Sequence, residues 1–290
     1  MKYPKIFFGL VLAIIFFTLT PTQSAHATTG ILYGADISGN LFAINVSTGA
    51  GTLIGTIPGG STEITCKSDG SQCFNQQPPL AFLIQQFDPS NGNPIGSPVF
   101  DGASFTGLRY VGSTLYGTYE PASTGPSTFA TLDPVTGTHT NIGLTGVGPI
   151  TGLAYDTVNN IMYGVSGSPT NPSNLYTINL GTGTATFVFN TNVSKLGSLS
   201  FGPDGKLYAG SGVNGAPGGE LYRIDPTAKT IADVGPTSFN SVNGLTSIGS
   251  TTPPSIPDFP FSFNLVIIFV AVAAVYMGIR QKMTTNFKHF

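Results

Sequence analysis

The sequence predicts an all-β fold, a closed β-propeller of five four-stranded blades. Three observations predict it: a unit of 43 to 46 residues recurs along residues 28–249, each copy has four short alternating segments, and the incomplete first and last copies complement each other. Six blades are the alternative, because the copy over residues 60–99 is degenerate.

A turn segment marks each copy of the repeat. It reads INVSTG, FDPSNG, LDPVTG, INLGTG and IDPTAK, and it is headed by Asn45, Asp88, Asp133, Asn179 and Asp225. These heads are separated by 43, 45, 46 and 46 residues. We interpret each head as accepting hydrogen bonds from the amides of its own turn, with Gly supplying the positive-φ position.

Four strands are predicted within each unit. Over residues 150–190 they are GLAY (152–155), the innermost, then MYGV (162–165), NLYTINL (174–180) and the outermost TATFVFN (184–190). The alternation in LYTI and LYRI sends every second side chain into the space between blades. Tyrosines at repeat spacing are expected to pack there rather than to stack on sugars: Tyr33, Tyr116, Tyr163, Tyr176, Tyr208 and Tyr222.

The two ends of the repeat region predict closure of the ring. The first copy starts at ILYG (31–34) without an innermost strand, and the last is followed only by NGLTSIG (243–249). We therefore expect Gly244 to Ile248 to pair with the strand at Ile31 and complete one blade, which removes both free edges.

Units of the form GLAYD, then LYG, then LYTI followed by a DPxTG-like turn resemble the exported propellers with YVTN-like or quinoprotein-like repeats. The resemblance spans residues 31–249 and implies the propeller fold. It is weak for function, since proteins with this repeat include binding, surface and enzymatic members.

The first 27 residues are predicted to be a secretory signal peptide. Lys2 and Lys5 precede an apolar run over residues 6–19, and Ala25-His26-Ala27 suits cleavage before Thr28. The alternative is an uncleaved anchor, and both place residues 28–249 outside the cytoplasm.

A second apolar run near the other end predicts a transmembrane helix. Residues 259–279 carry no charge and are followed by Arg280, Lys282 and Lys288. The positive-inside rule makes residues 280–290 a cytoplasmic tail. Residues 250–258 are predicted to be a Thr/Pro/Ser stalk, and a buried core helix is the alternative for 259–279.

The stretch Pro257-Asp258-Phe259-Pro260, followed by one span and a basic tail, resembles the PEP-CTERM and PEFG-CTERM sorting signals, the latter typical of ammonia-oxidising archaea. It departs from them with Asp for Glu and Pro for Gly. The resemblance implies recognition by a membrane sortase of the exosortase or archaeosortase type. A plain membrane anchor is the alternative.

Charge and cysteine content exclude some classes of function. Residues 28–249 hold twelve acidic and six basic residues, a net charge of −6, and no basic patch, so nucleic acid is not an expected partner. Cys66 and Cys73 are predicted to form a disulfide in an oxidising compartment. A metal or redox pair is the alternative, but histidine neighbours are missing.

Candidate chemistry is sparse. His139 is the single histidine of residues 28–249 and is expected to be exposed beside a turn, and Glu63, Glu120 and Glu220 are expected to be solvated loop acids. No catalytic set and no cofactor are predicted; calcium binding by residues 65–73 or 201–206 matches no full ligand pattern. Two glycosylation sequons begin at Asn45 and Asn192.

These patterns predict a cell-surface binding, adhesion or envelope-structural module with an envelope protein or a glycan as its partner. The alternative is an extracytoplasmic propeller enzyme, a hydrolase, lyase or quinoprotein-like oxidoreductase. Acids, asparagines and His139 meeting at one end of the channel would favour the enzyme.

Overall fold

The computed structural model describes residues 30–78, 82–120, 125–167, 171–213 and 218–249. Twenty strands form five four-stranded antiparallel sheets, so the predicted five-bladed propeller is confirmed and the six-bladed alternative is wrong. Within these ranges no helix has the length and apolar character of a membrane span. The predicted signal peptide (1–27), stalk and sorting motif (250–258), span (259–279) and tail (280–290) lie outside the described residues.

Each blade runs from an innermost strand to an outermost one. Blade 1 is β20 (Gly244–Ile248), β1 (Ile31–Ala35), β2 (Asn40–Ile44) and β3 (Gly51–Thr56). Blade 2 is β4 (Glu63–Cys66), β5 (Cys73–Gln76), β6 (Leu83–Phe87) and β7 (Pro94–Phe100). Blade 3 is β8 (Phe105–Val111), β9 (Thr114–Tyr119), β10 (Thr128–Leu132) and β11 (His139–Leu144). Blade 4 is β12 (Ile150–Asp156), β13 (Ile161–Ser166), β14 (Pro172–Ile178) and β15 (Ala185–Ser194), and blade 5 is β16 (Leu196–Phe201), β17 (Leu207–Ser211), β18 (Glu220–Asp225) and β19 (Thr230–Pro236).

The first and last strands close the ring. β20 pairs antiparallel with β1, with Ile31 opposite Ile248 and Ala35 opposite Gly244. The predicted closure is therefore confirmed. Blade 1 combines the two ends of the described chain, which leaves no inner strand of the ring unpaired.

The hydrophobic core lies between blades rather than within them. Five buried clusters each combine side chains of two adjacent blades. The repeat tyrosines belong to these clusters, as the alternation predicts. Each blade is thus packed against both of its neighbours around the ring.

The repeated turns have the predicted hydrogen bonds. In all five, the side-chain oxygen of the head residue accepts a hydrogen bond from the backbone N–H two residues on, over 2.8 to 2.9 Å. Four of the turns also place a glycine at positive φ four residues after the head. An Asn or Asp head is needed because it closes the turn from its own side chain.

Cys66 and Cys73 form the predicted disulfide, with an S–S distance of 2.00 Å. They lie directly opposite each other in β4 and β5, flanking the turn of residues 67–72. Both are buried in the core between blades 1 and 2. The bridge therefore fastens the inner hairpin of the degenerate blade.

Candidate functional site

The five innermost strands surround a central channel. β20, β4, β8, β12 and β16 contact one another in ring order. A Cβ added at Gly244 would lie 2.4 Å from the Ile64 nitrogen, and one at Gly152 would lie 2.6 Å from the Leu199 nitrogen. Because the first residues of these strands meet, the strands run in the same direction. We call the face where they begin the upper face and the opposite one the lower face.

Blade 2 departs from the repeat at the upper end of this channel. Glu63 and Gln76 face each other across β4 and β5. The positions equivalent to Glu63 in the other blades hold only small residues: Gly107, Gly152, Ser198 and Gly244. Those equivalent to Gln76 are Thr118, Val165, Gly210 and Ala35. The degenerate blade thus places two long polar side chains at a position where the other four blades have small or apolar residues.

Glu63 is a buried carboxyl group, so the expectation of a solvated loop acid is wrong. Its side chain is 1% exposed. Oε1 accepts a hydrogen bond of 2.9 Å from the Ile64 N–H, while Oε2 has no partner. Burial raises the pKa of Glu63 well above its usual value, against the smaller lowering effects of the Ile64 N–H, the Arg109 charge and the Leu245 N–H.

Arg109 crosses the channel. Its Nη1 donates a 3.0 Å hydrogen bond to the Ser200 hydroxyl, which joins blade 3 to blade 5 past the small Ala154 of blade 4. Burial lowers the pKa of Arg109 to about 10, against the raising effect of the Glu63 charge. Among the described residues the one ion pair within 4.0 Å is elsewhere, so Glu63 and Arg109 attract without direct contact.

Asp101 lies at the upper edge of the junction between blades 2 and 3. It is 2% exposed, and its Oδ1 accepts a 3.0 Å hydrogen bond from the Ala103 N–H. Burial raises its pKa, and that N–H, the Gln76 amide and the His139 charge oppose the rise in that order. The His139 Nδ1 is 3.0 Å from the Asp101 carbonyl oxygen, and its ring packs edge-on against Tyr119. His139 is therefore half-buried, and the expectation of an exposed position is wrong.

The other two glutamates are half-buried near the same face. Burial raises the pKa of Glu120, opposed by a 3.3 Å hydrogen bond from the Ser127 hydroxyl. Burial also raises the pKa of Glu220, and the Asp233 charge adds to it. In contrast, hydrogen bonds within their own turns lower the pKa values of three exposed carboxyls: Asp69, Asp88 and Asp133. The four acids with raised pKa values therefore all lie towards the upper face, and only Glu63 is on an innermost strand.

No three His, Cys, Asp or Glu side chains come together as a metal site in the part of the chain that the structure describes. The aspartates of both candidate calcium loops accept hydrogen bonds from residues close to them in the sequence. Asp69 accepts a hydrogen bond from the Ser71 N–H, and Asp204 accepts one from the Tyr208 hydroxyl at 2.9 Å. Asp204 also lies 3.7 Å from the Lys206 ammonium.

A surface pocket of about 290 Å³ lies at the junction of blades 5 and 1. Two lysine or arginine side chains and two aspartates line it beside an aromatic ring and small apolar groups. The lining residues are Val46, Ser47, Asp204, Lys206, Tyr208, Arg223, Ala232, Asp233 and Val234. It adjoins Asn45, the first residue of one sequon.

Comparison with known proteins identifies the fold and no family. No family model and no curated protein matches this chain. A solved chain of a nidogen/laminin complex is similar to it, with a TM-score of 0.51, 12% identity, and coverage of 75% of this chain and 98% of that one. Hydrazine synthase of Kuenenia stuttgartiensis aligns with a TM-score of 0.44, 12% identity, and coverage of 67% of this chain and 59% of that one.

A Bacteroides thetaiotaomicron structural genomics protein of unknown function aligns with a TM-score of 0.43, 17% identity, and coverage of 70% of this chain and 50% of that one. At these identities, the nidogen/laminin likeness supports the propeller fold alone. The channel residues must therefore be interpreted from their own chemistry.

Sequence reasoning missed the grouping of Glu63, Gln76, Asp101 and Arg109. The signal was present for Glu63, which occupies a position where three other repeats have glycine. For Arg109 no local pattern existed, since its partner Ser200 lies 91 residues away.

Proposed function

We propose that this chain is a surface-anchored propeller that binds an envelope partner through its upper face. The observation that carries the proposal is the position of the two ends of the described chain. The Gly249 N–H donates a 2.9 Å hydrogen bond to the Ser68 carbonyl, and Gly30 packs against Pro203. Ser68 and Pro203 belong to turns that follow inner strands, so both ends leave from the lower face.

A chain tethered through residues 250–279 would therefore turn its lower face towards the membrane and its upper face outwards. The propeller fold, which this chain shares with a solved chain of a nidogen/laminin complex, is compatible with a binding module. On this proposal the ring presents a binding surface, and the stalk keeps it clear of the bilayer.

The anchor is tested by deleting residues 259–290. We expect the shortened chain in the medium and the full chain in the membrane fraction, because the deleted run has the apolar length of a span. Firm attachment of the shortened chain would contradict the anchor. The intact mass then separates two forms of attachment: retention through Phe290 indicates a plain span, and loss of the residues beyond 257–260 indicates sortase processing.

The binding face is tested with charge reversals on purified residues 28–249. Glu220→Lys alters the upper face, and Asp69→Lys, an exposed lower-face change, is its matched control. We expect capture of the partner from an envelope fraction to be lost with the first variant and kept with the second. Loss with Asp69→Lys alone would overturn the assignment of the face.

We further propose that both sequons carry glycans in the exported chain. Asn45 and Asn192 are exposed. Asn45→Asp removes the first sequon and retains its turn, since Asp88, Asp133 and Asp225 close equivalent turns. Loss of the glycopeptide mass for that site alone is the expected result, and peptides of unmodified mass in the wild-type chain would refute it.

A further inference from the structure

Buried oxygen atoms without a partner concentrate in the degenerate blade. Eight buried side-chain oxygens lack a hydrogen bond among the described residues, and five belong to blade 2 or its connection to blade 3. They are Glu63 Oε2, Thr65 Oγ1, Asn75 Oδ1, Gln76 Oε1 and Asp101 Oδ2. Since buried polar atoms are normally paired, this concentration requires a physical explanation.

Gln76 stands between the two buried acids. It lies directly opposite Glu63 in the β4–β5 pair, which places both side chains on one face of the sheet. Its Nε2 donates a 3.2 Å hydrogen bond to the Leu83 carbonyl, and this bond occupies the nitrogen end of the amide. Gln76 Oε1 and Glu63 Oε2 both lie on this face of the sheet, and neither has a partner.

The charged and titratable groups around Glu63 are few. The contacting strands β5 and β20 have none, because Cys73 is in the disulfide. β1 contributes Tyr33, and β8 contributes Arg109 and Tyr110. Asp101 lies beyond Gln76. No lysine or histidine reaches Glu63 from these elements, so a proton is the simplest donor to fill the gap between the two oxygens.

We propose that Glu63 holds a proton in the folded protein and donates it from Oε2 to Oε1 of Gln76. This hydrogen bond joins β4 to β5 through their side chains at the upper end of the channel. When the O–H bond breaks, the proton passes to water and two acceptor oxygens face each other. The β4–β5 pair is then weakened at the upper end of the channel, and this device makes that end pH-sensitive.

The direction of the pH effect follows from burial, which raises the folded-state pKa of Glu63. Its contribution to stability is fully present below the unfolded-state pKa of about 4.3 and is lost as the pH rises through the folded-state value. Between the two values, the unfolding equilibrium constant rises about tenfold per pH unit on account of this group.

Glu63→Gln tests the proposal because its amide retains a donor at the same place and cannot titrate. We expect the unfolding equilibrium constant of Glu63→Gln not to rise with pH on account of residue 63. Above neutral pH, a smaller fraction of this variant than of the wild type should then be unfolded. Asp225→Asn is the matched control, because Asp225 heads an exposed turn and asparagine heads the equivalent turns at Asn45 and Asn179. This variant should keep the wild-type dependence of the unfolding equilibrium constant on pH. Equal slopes for Glu63→Gln and the wild type would overturn the proposal.

A second measurement needs no stable Glu63 variant. The ¹³C shift of the Glu63 carboxyl in the wild-type protein should report a protonated group at neutral pH, and an ionised one would overturn the proposal. Gln76→Met should lower the titration midpoint of Glu63, since it removes the acceptor that favours the protonated form. Burial alone predicts an unchanged or higher midpoint, which would also count against the Glu63–Gln76 hydrogen bond.

Discussion

At the scale of single residues, the repeated turns differ in one backbone position. The residue four after the turn head has positive φ in all five turns. In four it is a glycine with φ between 74° and 79°: Gly49, Gly92, Gly137 and Gly183. In the fifth it is Lys229, at φ 56°. A side chain in this region is strained, so blade 5 has the one unfavourable turn of the set.

Lys229→Gly should therefore stabilise the protein by about 0.5–1 kcal/mol, the relief of left-handed strain less the extra chain entropy of glycine. Urea denaturation measures the gain. Gly137→Ala is the opposing variant: its Cβ would lie 2.1 Å from the Phe100 carbonyl oxygen, so we expect a loss of at least about 2 kcal/mol. A destabilised Lys229→Gly would contradict this account of the turn.

At the scale of elements, side-chain hydroxyls attach the start of an inner strand to the preceding blade. The Ser127 hydroxyl accepts a 2.9 Å hydrogen bond from the Ile150 N–H, and the Ser173 hydroxyl accepts a 3.0 Å one from the Leu196 N–H. Ile150 and Leu196 are equivalent first residues of β12 and β16. Such bonds satisfy backbone groups that have no strand partner on the channel side.

Ser173→Ala should destabilise the protein by about 1–3 kcal/mol, because the buried Leu196 N–H loses its acceptor. Ser47→Ala, at an exposed turn, is the control in unglycosylated protein and should have little effect. Hydrogen exchange supplies a local readout: the Leu196 amide should exchange faster in Ser173→Ala. Unchanged protection of that amide would contradict the role of the hydroxyl.

At the scale of the whole molecule, the ring depends on a strand from the end of the described chain. β20 supplies the inner position of blade 1 and packs against β4 and β16. Leu245 is buried in the core between blades 5 and 1. The other blades draw their four strands from one continuous segment each, so blade 1 alone couples distant parts of the sequence.

A chain ending at residue 243 should lose the cooperative unfolding transition of the ring, since it exposes the edge of β1 and the core beneath Leu245. Calorimetry of the two lengths measures this difference. Adding the peptide of residues 244–249 should restore part of the transition. A truncated chain with the full unfolding enthalpy would show that closure contributes nothing.

Much of the fold was predictable from local pattern. Turn heads, strand alternation and the complementary ends are properties of short segments, and they correctly predict five blades, the core between blades and the closing pair. Prediction was poorer where distant segments meet. Glu63 is buried because its strand packs against β20 of blade 1 and β8 of blade 3, and His139 is half-buried against Asp101, which precedes its own blade. β15 also continues to Ser194, beyond the predicted residue 190, through bulges.

The pairing of β20 with β1 also determines how the ring bears mechanical load. Residue 249 continues directly from β20, so a pull on a tether there acts along the length of that strand. Five residue pairs, from Ile31–Ile248 to Ala35–Gly244, then resist in shear together rather than opening one after another. The neighbouring strands β4 and β16 pack against β20 on its two sides. Tension applied at residue 249 is thus distributed over three blades at once.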